Sequence, residues 1–291
     1  SLRQALADVC FAGSIGFAPS LAGQTIVLSS ELTIAKPVTI NGAGAPGLTI
    51  SGGGAVRAFV VNAFTPATLR NLTVSNGYGW ELAGGILNNG TLTLDRVTVA
   101  NNNVTTSGVD FWKGGAGIYN GDGSTLTLVD STVRDNRAEG GAGGGIYAFF
   151  NAAVDIVRST ISGNVATDVG GGIRSLGDFT IVNSTISGNT STGWHGGAIF
   201  HTEGTMEIAN STITNNAGPD WAPSAIFLGE WGPLVPVLKL TNTIVAGNRW
   251  YACERFAAPN PNILISGGNN IIQDASCNPV ASDLILADAG L

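Results

Sequence analysis

The sequence predicts an all-β fold, a single parallel β-helix solenoid of roughly nine to ten coils with a short N-terminal capping helix. Three observations carry that prediction. A small-residue approach to an aliphatic recurs as Gly84-Gly85-Ile86, Gly115-Ala116-Gly117-Ile118, Gly143-Gly144-Gly145-Ile146, Gly170-Gly171-Gly172-Ile173 and Gly196-Gly197-Ala198-Ile199, and decays to Ser224-Ala225-Ile226. Successive isoleucines stand 26 to 32 residues apart, a period that signals stacked supersecondary units. In phase with them, an aliphatic is followed three residues later by Asn: Val99 to Asn102, Val133 to Asn136, Ile161 to Asn164, Ile186 to Asn189 and Ile213 to Asn216. Each unit also holds a short alternating segment, such as Thr91-Leu92-Thr93-Leu94, Thr125-Leu126-Thr127-Leu128 or Phe179-Thr180-Ile181-Val182.

Short runs of Thr, Val and Ile with period two suit a pleated surface with one face buried. No helical period is sustained between residues 60 and 250. Asn and Gly at fixed places suit tight turns, because both tolerate the left-handed backbone region, and stacked Asn amides can hydrogen-bond along the rod. Coils about 4.8 Å apart give a rod roughly 45 Å long.

In chain order, residues 1–12 come first, with Leu2, Ala5, Leu6 and Val9 at helical spacing. This is an amphipathic helix placed to cap the open first coil. The β-helix then runs over 13–291. Its first coils are irregular, with Thr25-Ile26-Val27-Leu28, Val38-Thr39-Ile40, Leu48-Thr49-Ile50 and Leu72-Thr73-Val74 separated by turns such as Asn41-Gly42. Regular repeats follow, and the pattern loosens from about residue 217.

The 291 residues are 44% apolar, ample for a core, but contain 42 glycines and only 11% charged residues. The exterior is therefore polar without being strongly ionic. A formal charge of −7 disfavours nucleic acid and anionic membranes as partners. No run of 18 to 20 apolar residues signals a membrane span.

Ser1-Leu2-Arg3-Gln4-Ala5-Leu6, Gly23-Gln24-Thr25-Ile26-Val27-Leu28 and Val38-Thr39-Ile40-Asn41-Gly42 resemble the start of bacterial surface proteins named for a Cys-Ser-Leu-Arg-Glu-Ala motif. The tail, with Thr243-Ile244-Val245-Ala246-Gly247-Asn248 and Gly268-Asn269-Asn270-Ile271-Ile272, resembles the same group. The Gly-Gly-Ala-Ile and aliphatic-x-x-Asn signatures are similar to the repeats of polymorphic outer-membrane autotransporters. The resemblance implies a right-handed, pectate-lyase-like β-helix exported to the cell surface, in a family with no common catalytic set. Gln4 stands where that motif has Glu.

Cys253 and Cys277 lie in the least regular region, where a disulfide would staple loops lacking ladder support and contribute about 3 kcal/mol; two buried thiols are the other reading. Cys10 reads as a small core residue under the cap.

Between each turn Asn and the next Gly-Gly-Ile element lies a loop of changing length. These loops hold Tyr78, Trp80 and Glu81; Asp110, Phe111, Trp112 and Lys113; Glu139; Asp168; Trp194 and His195; Asp220 and Trp221. All precede the same strand in successive coils, so they share one edge of the rod, with Tyr119, Tyr147, Phe149, Phe150, Phe200, His201 and Trp231 just beyond it. Three readings stay open: indoles stacking on sugar faces with carboxylates accepting from hydroxyls, a protein interface, or loops that bury their own aromatics. Catalysis, if present, falls to Asp110, Glu139 and Asp168 in consecutive coils, which favours hydrolysis by grouped carboxylates. A lyase would depend on Lys113 and Arg174.

His195 and His201, six residues apart on one strand, would be about 20 Å apart and could not share a metal. The glycine runs match no dinucleotide fingerprint, and no cofactor is expected. A Thr-x-Thr array for ice binding begins at Thr91 and Thr125 but fails at Ala153-Val154-Asp155. The sequence thus points to an extracellular or cell-surface structural and adhesive module. Its expected partners are extracellular polysaccharide, a protein, or further copies of itself in a filament. The capping helix argues against pairing at the N-terminal end, while Asp283-Leu284-Ile285-Leu286 leaves the other end more open.

Overall fold

The computed structural model describes residues 1–221, 224–229, 235–256 and 263–286; Trp231 and the end of the chain at 287–291 lie outside them. Among the described residues, short alternating segments form parallel sheets of 19, 9 and 5 strands. Their strands repeat in sequence order coil after coil, which makes the molecule a parallel solenoid. The 9 strands of the second sheet, one per coil, agree with the repeat count.

The period-two pattern sets the core. Ile86, Ile118, Ile146, Ile173, Ile199 and Ile226 stand in register and are fully buried. On the large sheet Leu94, Leu128, Ile156, Ile181, Ile208 and Leu240 stack in the same way. Each such side chain contributes roughly 1.5–3 kcal/mol by burial.

Two recurrent turns close each coil. The residue three before each core isoleucine is left-handed at Gly115, Gly143, Gly170 and Gly196, with φ from 63 to 71°. There a Cβ would approach backbone oxygen, 2.6 Å from Ile146 O in the case of Gly143. That is the reason for the first glycine of the signature. At the opposite turn, the ladder asparagines are not the left-handed residues. The residue before each one takes that conformation: Asn101, Asp135, Gly163, Gly188, Asn215 and Gly247, with φ from 54 to 69°. Each ladder asparagine is thereby free to bond to the next coil. From Asn102 through Asn136, Asn164, Asn189 and Asn216 to Asn248, each side-chain oxygen after the first accepts both the N–H and the Nδ2 of the asparagine before it, at 2.9–3.1 Å.

Helix α1 (Leu2–Asp8) is the predicted cap. Ser1 Oγ accepts from Gln4 N, and Leu2 and Leu6 are buried in the core. Lys36 Nζ donates to Ala7 O at 2.8 Å, and Arg3 donates to the carbonyls of Ser30 and Glu31, which fastens the helix to the first coil. Cys10 departs from expectation: it is free and exposed. The helix ends at Asp8, Val9 turns inward against the core, and the next residue faces out.

Cys253 and Cys277 form the disulfide, with Cα atoms 5.1 Å apart. The threonine column of Thr91 and Thr125 does meet Ala153 in register. The neighbouring strand, however, stacks Thr49, Thr73, Thr98, Thr132, Thr160, Thr185 and Thr212 without a break, as a β-branched residue suits a pleated surface. No helix among the described residues is long and apolar enough to cross a membrane.

Candidate functional site

The five-stranded sheet carries the variable loops. Its strands are Tyr78–Trp80, Asn103–Gly114, Arg137–Ala142, Val165–Ala166 and Thr190–Ser191, paired in successive coils. The second slips register twice, between Thr105 and Asp110 and between Asp110 and Gly114, so its middle bulges outward. Val109, Phe111 and Trp112 ride on that bulge, 72%, 38% and 43% exposed.

Beneath the loops lies a column that faces outward from the nine-stranded sheet: Leu87, Tyr119, Tyr147, Arg174, Phe200, Phe227 and Glu254 in register. Its rings stack, Tyr119 on Tyr147 at 5.0 Å and Phe200 on Phe227 at 4.7 Å. Arg174 is inserted between the two pairs, its guanidinium 6.0 Å from the Tyr147 ring and 4.8 Å from the Phe200 ring. Such contacts strengthen when desolvated, and Arg174 is 1% exposed. Its Nη1 donates to Thr202 Oγ1 at 2.7 Å and to Ser175 O. Burial draws the Arg174 pKa down, opposed by Tyr147, Asp168 and Glu203, and pushes the Tyr147 hydroxyl up. Tyr147 donates to Phe111 O at 3.0 Å, which pins the bulge to the column, while Phe149 and Phe150 pack beside it.

The loop tips behave differently. Trp80, Trp194 and Trp221 are 58%, 49% and 63% exposed. Trp194 and Trp221 meet edge to face at 5.2 Å. His195 stacks on Phe227 at 4.1 Å, with Nδ1 3.0 Å from Glu254 Oε2. The loops therefore bury one set of aromatics and present another. Tyr119, Tyr147, Phe200 and Phe227 are the buried set; the tryptophans, with Phe111 half turned out, are the presented one.

The predicted carboxylates are only partly brought together. Lys113 Nζ bridges Glu81 Oε1 at 2.6 Å and Asp110 Oδ2 at 3.3 Å, and its bond to Glu81 raises the ammonium pKa. Asp110 pairs in register with Gly141, whose carbonyl accepts from Asp168 N on the other side. Asp110 and Asp168 thus flank one residue from adjacent coils. Glu139 stands apart, paired with Arg137 at 3.0 Å, and Asp220 is held by Arg249 at 2.5 Å. Asp168 is 3% exposed and its Oδ2 has no hydrogen-bond partner among the described residues. Burial pushes its carboxyl up to about 6, against the pull of Arg174 and with a further push from Asp110.

The two histidines do not share a strand. His201 lies buried within Ile199–His201, with Nδ1 3.0 Å from Ser175 Oγ and Nε2 3.0 Å from Gly204 O, whereas His195 belongs to the loop before it. Burial lowers the His201 pKa to about 4. No group of His, Cys, Asp and Glu among the described residues could hold a metal ion. Sequence reasoning missed Arg174 as the centre of the stack. The cue was its place directly after a core isoleucine, a position that is aromatic at Tyr119, Tyr147, Phe200 and Phe227.

A family model described as the right handed beta helix region matches residues 26–278. No curated protein matches the sequence. Among solved structures, ORF18 of Geobacillus virus E2 is similar with a TM-score of 0.40 and 9% identity, covering 92% of this chain and 55% of that one; the chain spans about half its length. A mannuronic acid specific polysaccharide family 6 lyase from human gut microbiota has a TM-score of 0.26 and 10% identity, covering 89% and 86%. Similarity at this level says nothing about the chemistry of the loop edge.

Proposed function

The chain belongs to the right-handed β-helix family, and on that premise we propose that it is an extracellular structural and adhesive module that holds a partner along its loop edge. One observation carries the reading: Trp80 and Trp112 on strands of the five-stranded sheet, and Trp194 and Trp221 on the loops of the coils that follow, are all 43–63% exposed. Exposed indoles grouped on a surface mark binding. The carboxylates among them are engaged, Glu81 and Asp110 with Lys113, Glu139 with Arg137 and Asp220 with Arg249, an arrangement that suits holding a ligand better than cleaving it. The disulfide supports an oxidising, extracytoplasmic setting.

The test is binding of the purified protein to immobilised polysaccharides and to extracellular proteins, with Trp112→Ala and Trp194→Ala alongside. Loss of binding in both variants at unchanged melting temperature supports the reading; binding that survives both overturns it.

A second reading, polysaccharide hydrolysis, draws on Asp110 and Asp168 flanking Gly141. A carboxyl held near 6, with a second carboxylate acting on it from across Gly141, supplies the two unlike carboxyl groups that acid–base cleavage of a glycosidic bond uses. New reducing ends released by the protein and abolished in Asp168→Asn would establish that reading in place of the first.

A further inference from the structure

A carboxyl with an oxygen buried away from any hydrogen-bond partner is tolerated far better neutral than charged. Asp168 sits so beneath a loop that hangs on its own main chain. Its carbonyl accepts from Trp194 N at 2.8 Å, and the single hydroxyl proton of Ser191 is shared between Asp168 O at 2.7 Å and Trp194 O at 2.8 Å. The segment that presents Trp194 is therefore fastened to the residue whose Oδ2 lies unpartnered below it. The Nε of Arg174, whose charge acts on Asp168, has no partner either, so an orphaned acceptor and an orphaned donor both lie buried under this edge.

We propose that Asp168 is a proton-operated latch on the tryptophan edge: loop 191–196 closes over the neutral carboxyl and loosens when that carboxyl ionises, changing how Trp194 is presented. The consequence for ligand binding rests on reading this edge as the binding surface. The direction follows from linkage, since a site that disfavours the charged form opens more readily as that form becomes populated. Several charged and titratable groups face Asp168. Arg174 and Tyr147 face it from the nine-stranded sheet, with Glu203 and His201 behind Arg174. Asp110, with its partner Lys113, faces it from the bulge, and His195, bonded to Glu254, lies on the loop itself. Of these, Arg174 favours the carboxylate and Asp110 opposes it. His195 is carried by the same loop and bonds to Glu254, so its influence is the competing cause that the test must separate.

The experiment is amide hydrogen exchange of Ser191, Thr192 and Trp194 in the ligand-free protein between pH 5 and 7.5, corrected for the intrinsic rate. All three amides donate to backbone carbonyls and so report opening. With a folded pKa near 6 and about 3.9 in the open form, protection should fall about tenfold across that range. Asp168→Asn should abolish the slope, and His195→Asn should keep it. A slope that persists in Asp168→Asn, or vanishes in His195→Asn, overturns the latch. So does protection that rises with pH, which would mean that the carboxylate moves onto Arg174 instead. Should Asp168→Asn fail to fold, Ser191→Ala, which removes one tie and leaves the carboxyl, must lower protection at every pH while retaining the slope; an unchanged level overturns the proposal. Exchange is read without ligand, so a failed latch and a failed binding edge are told apart.

Discussion

Asn164 and Asn189 meet twice: the Oδ1 of Asn189 accepts the backbone N–H of Asn164 at 3.0 Å and its Nδ2 at 2.9 Å. Asn164 in turn serves Asn136 in the same way and donates to Val133 O. One side chain thus satisfies buried groups in the coils on either side of its own. Asn164→Ala strands several of them at once and is expected to cost about 3 kcal/mol. A larger loss than for Thr160→Ala on the outer face, measured by chemical denaturation, checks it.

The last coils depend on a different device. Cys253 lies in the nine-stranded sheet and Cys277 in a short 3-10 turn across from it. Replacing both with Ser should lower stability by about 3 kcal/mol, the loop-closure contribution for a bridge of this span. Exchange over 251–256 and 263–286 should quicken while the Asn ladder from 102 to 216 stays protected. Uniform loss across all coils would show instead that the solenoid unfolds as one unit.

Stability against pH offers a sharper check, because two buried groups act in opposite directions. His201 is held neutral with its pKa lowered to about 4 from about 6.5 unfolded. Its contribution is complete above 6.5 and is lost as pH falls through 4. Asp168 is raised to about 6 from about 3.9 unfolded, so its contribution is complete below 3.9 and is lost as pH rises through 6. The two windows overlap, and the melting temperature of the wild type should change little between pH 4 and 6.5. Asp168→Asn should give a melting temperature that climbs with pH over this range, and His201→Gln one that falls.

What the sequence carried and what it did not divide along one physical line. Local periodicity sets which face of a strand is inward, so Ile86 to Ile226, the ladder asparagines and the capping Leu2 and Leu6 were readable. The alternation also labels Tyr147, Arg174 and Phe200 as outward, and outward is commonly exposed. Here it is not, because the bulge near Asp110 and the loop of Trp194 fold over them. How far a loop of irregular length folds back is decided by non-local contacts, such as Tyr147 to Phe111 O, that no period encodes. The same limit hid which aromatics on the edge reach solvent. Cys10 departs for a smaller reason: Val9 leaves the helix with φ −57° and ψ 138° and packs on the core, so the residue after it points the other way.

Arg174 is where packing and charge can be separated. Between the Tyr147 and Phe200 rings its flat guanidinium fills space as much as it carries charge. An apolar side chain of similar volume keeps the packing between the rings, whereas truncation also leaves a cavity. Arg174→Met should therefore cost less than Arg174→Ala, by about 2 kcal/mol. Either change removes the positive charge that pulls the Asp168 carboxyl down. Burial and Asp110 then act on it unopposed, and the midpoint of the pH-dependent exchange at Trp194 should move to higher pH in Arg174→Met. A purely structural Arg174 would change stability and leave that midpoint where it was, so the pair of measurements on one folded variant distinguishes the roles.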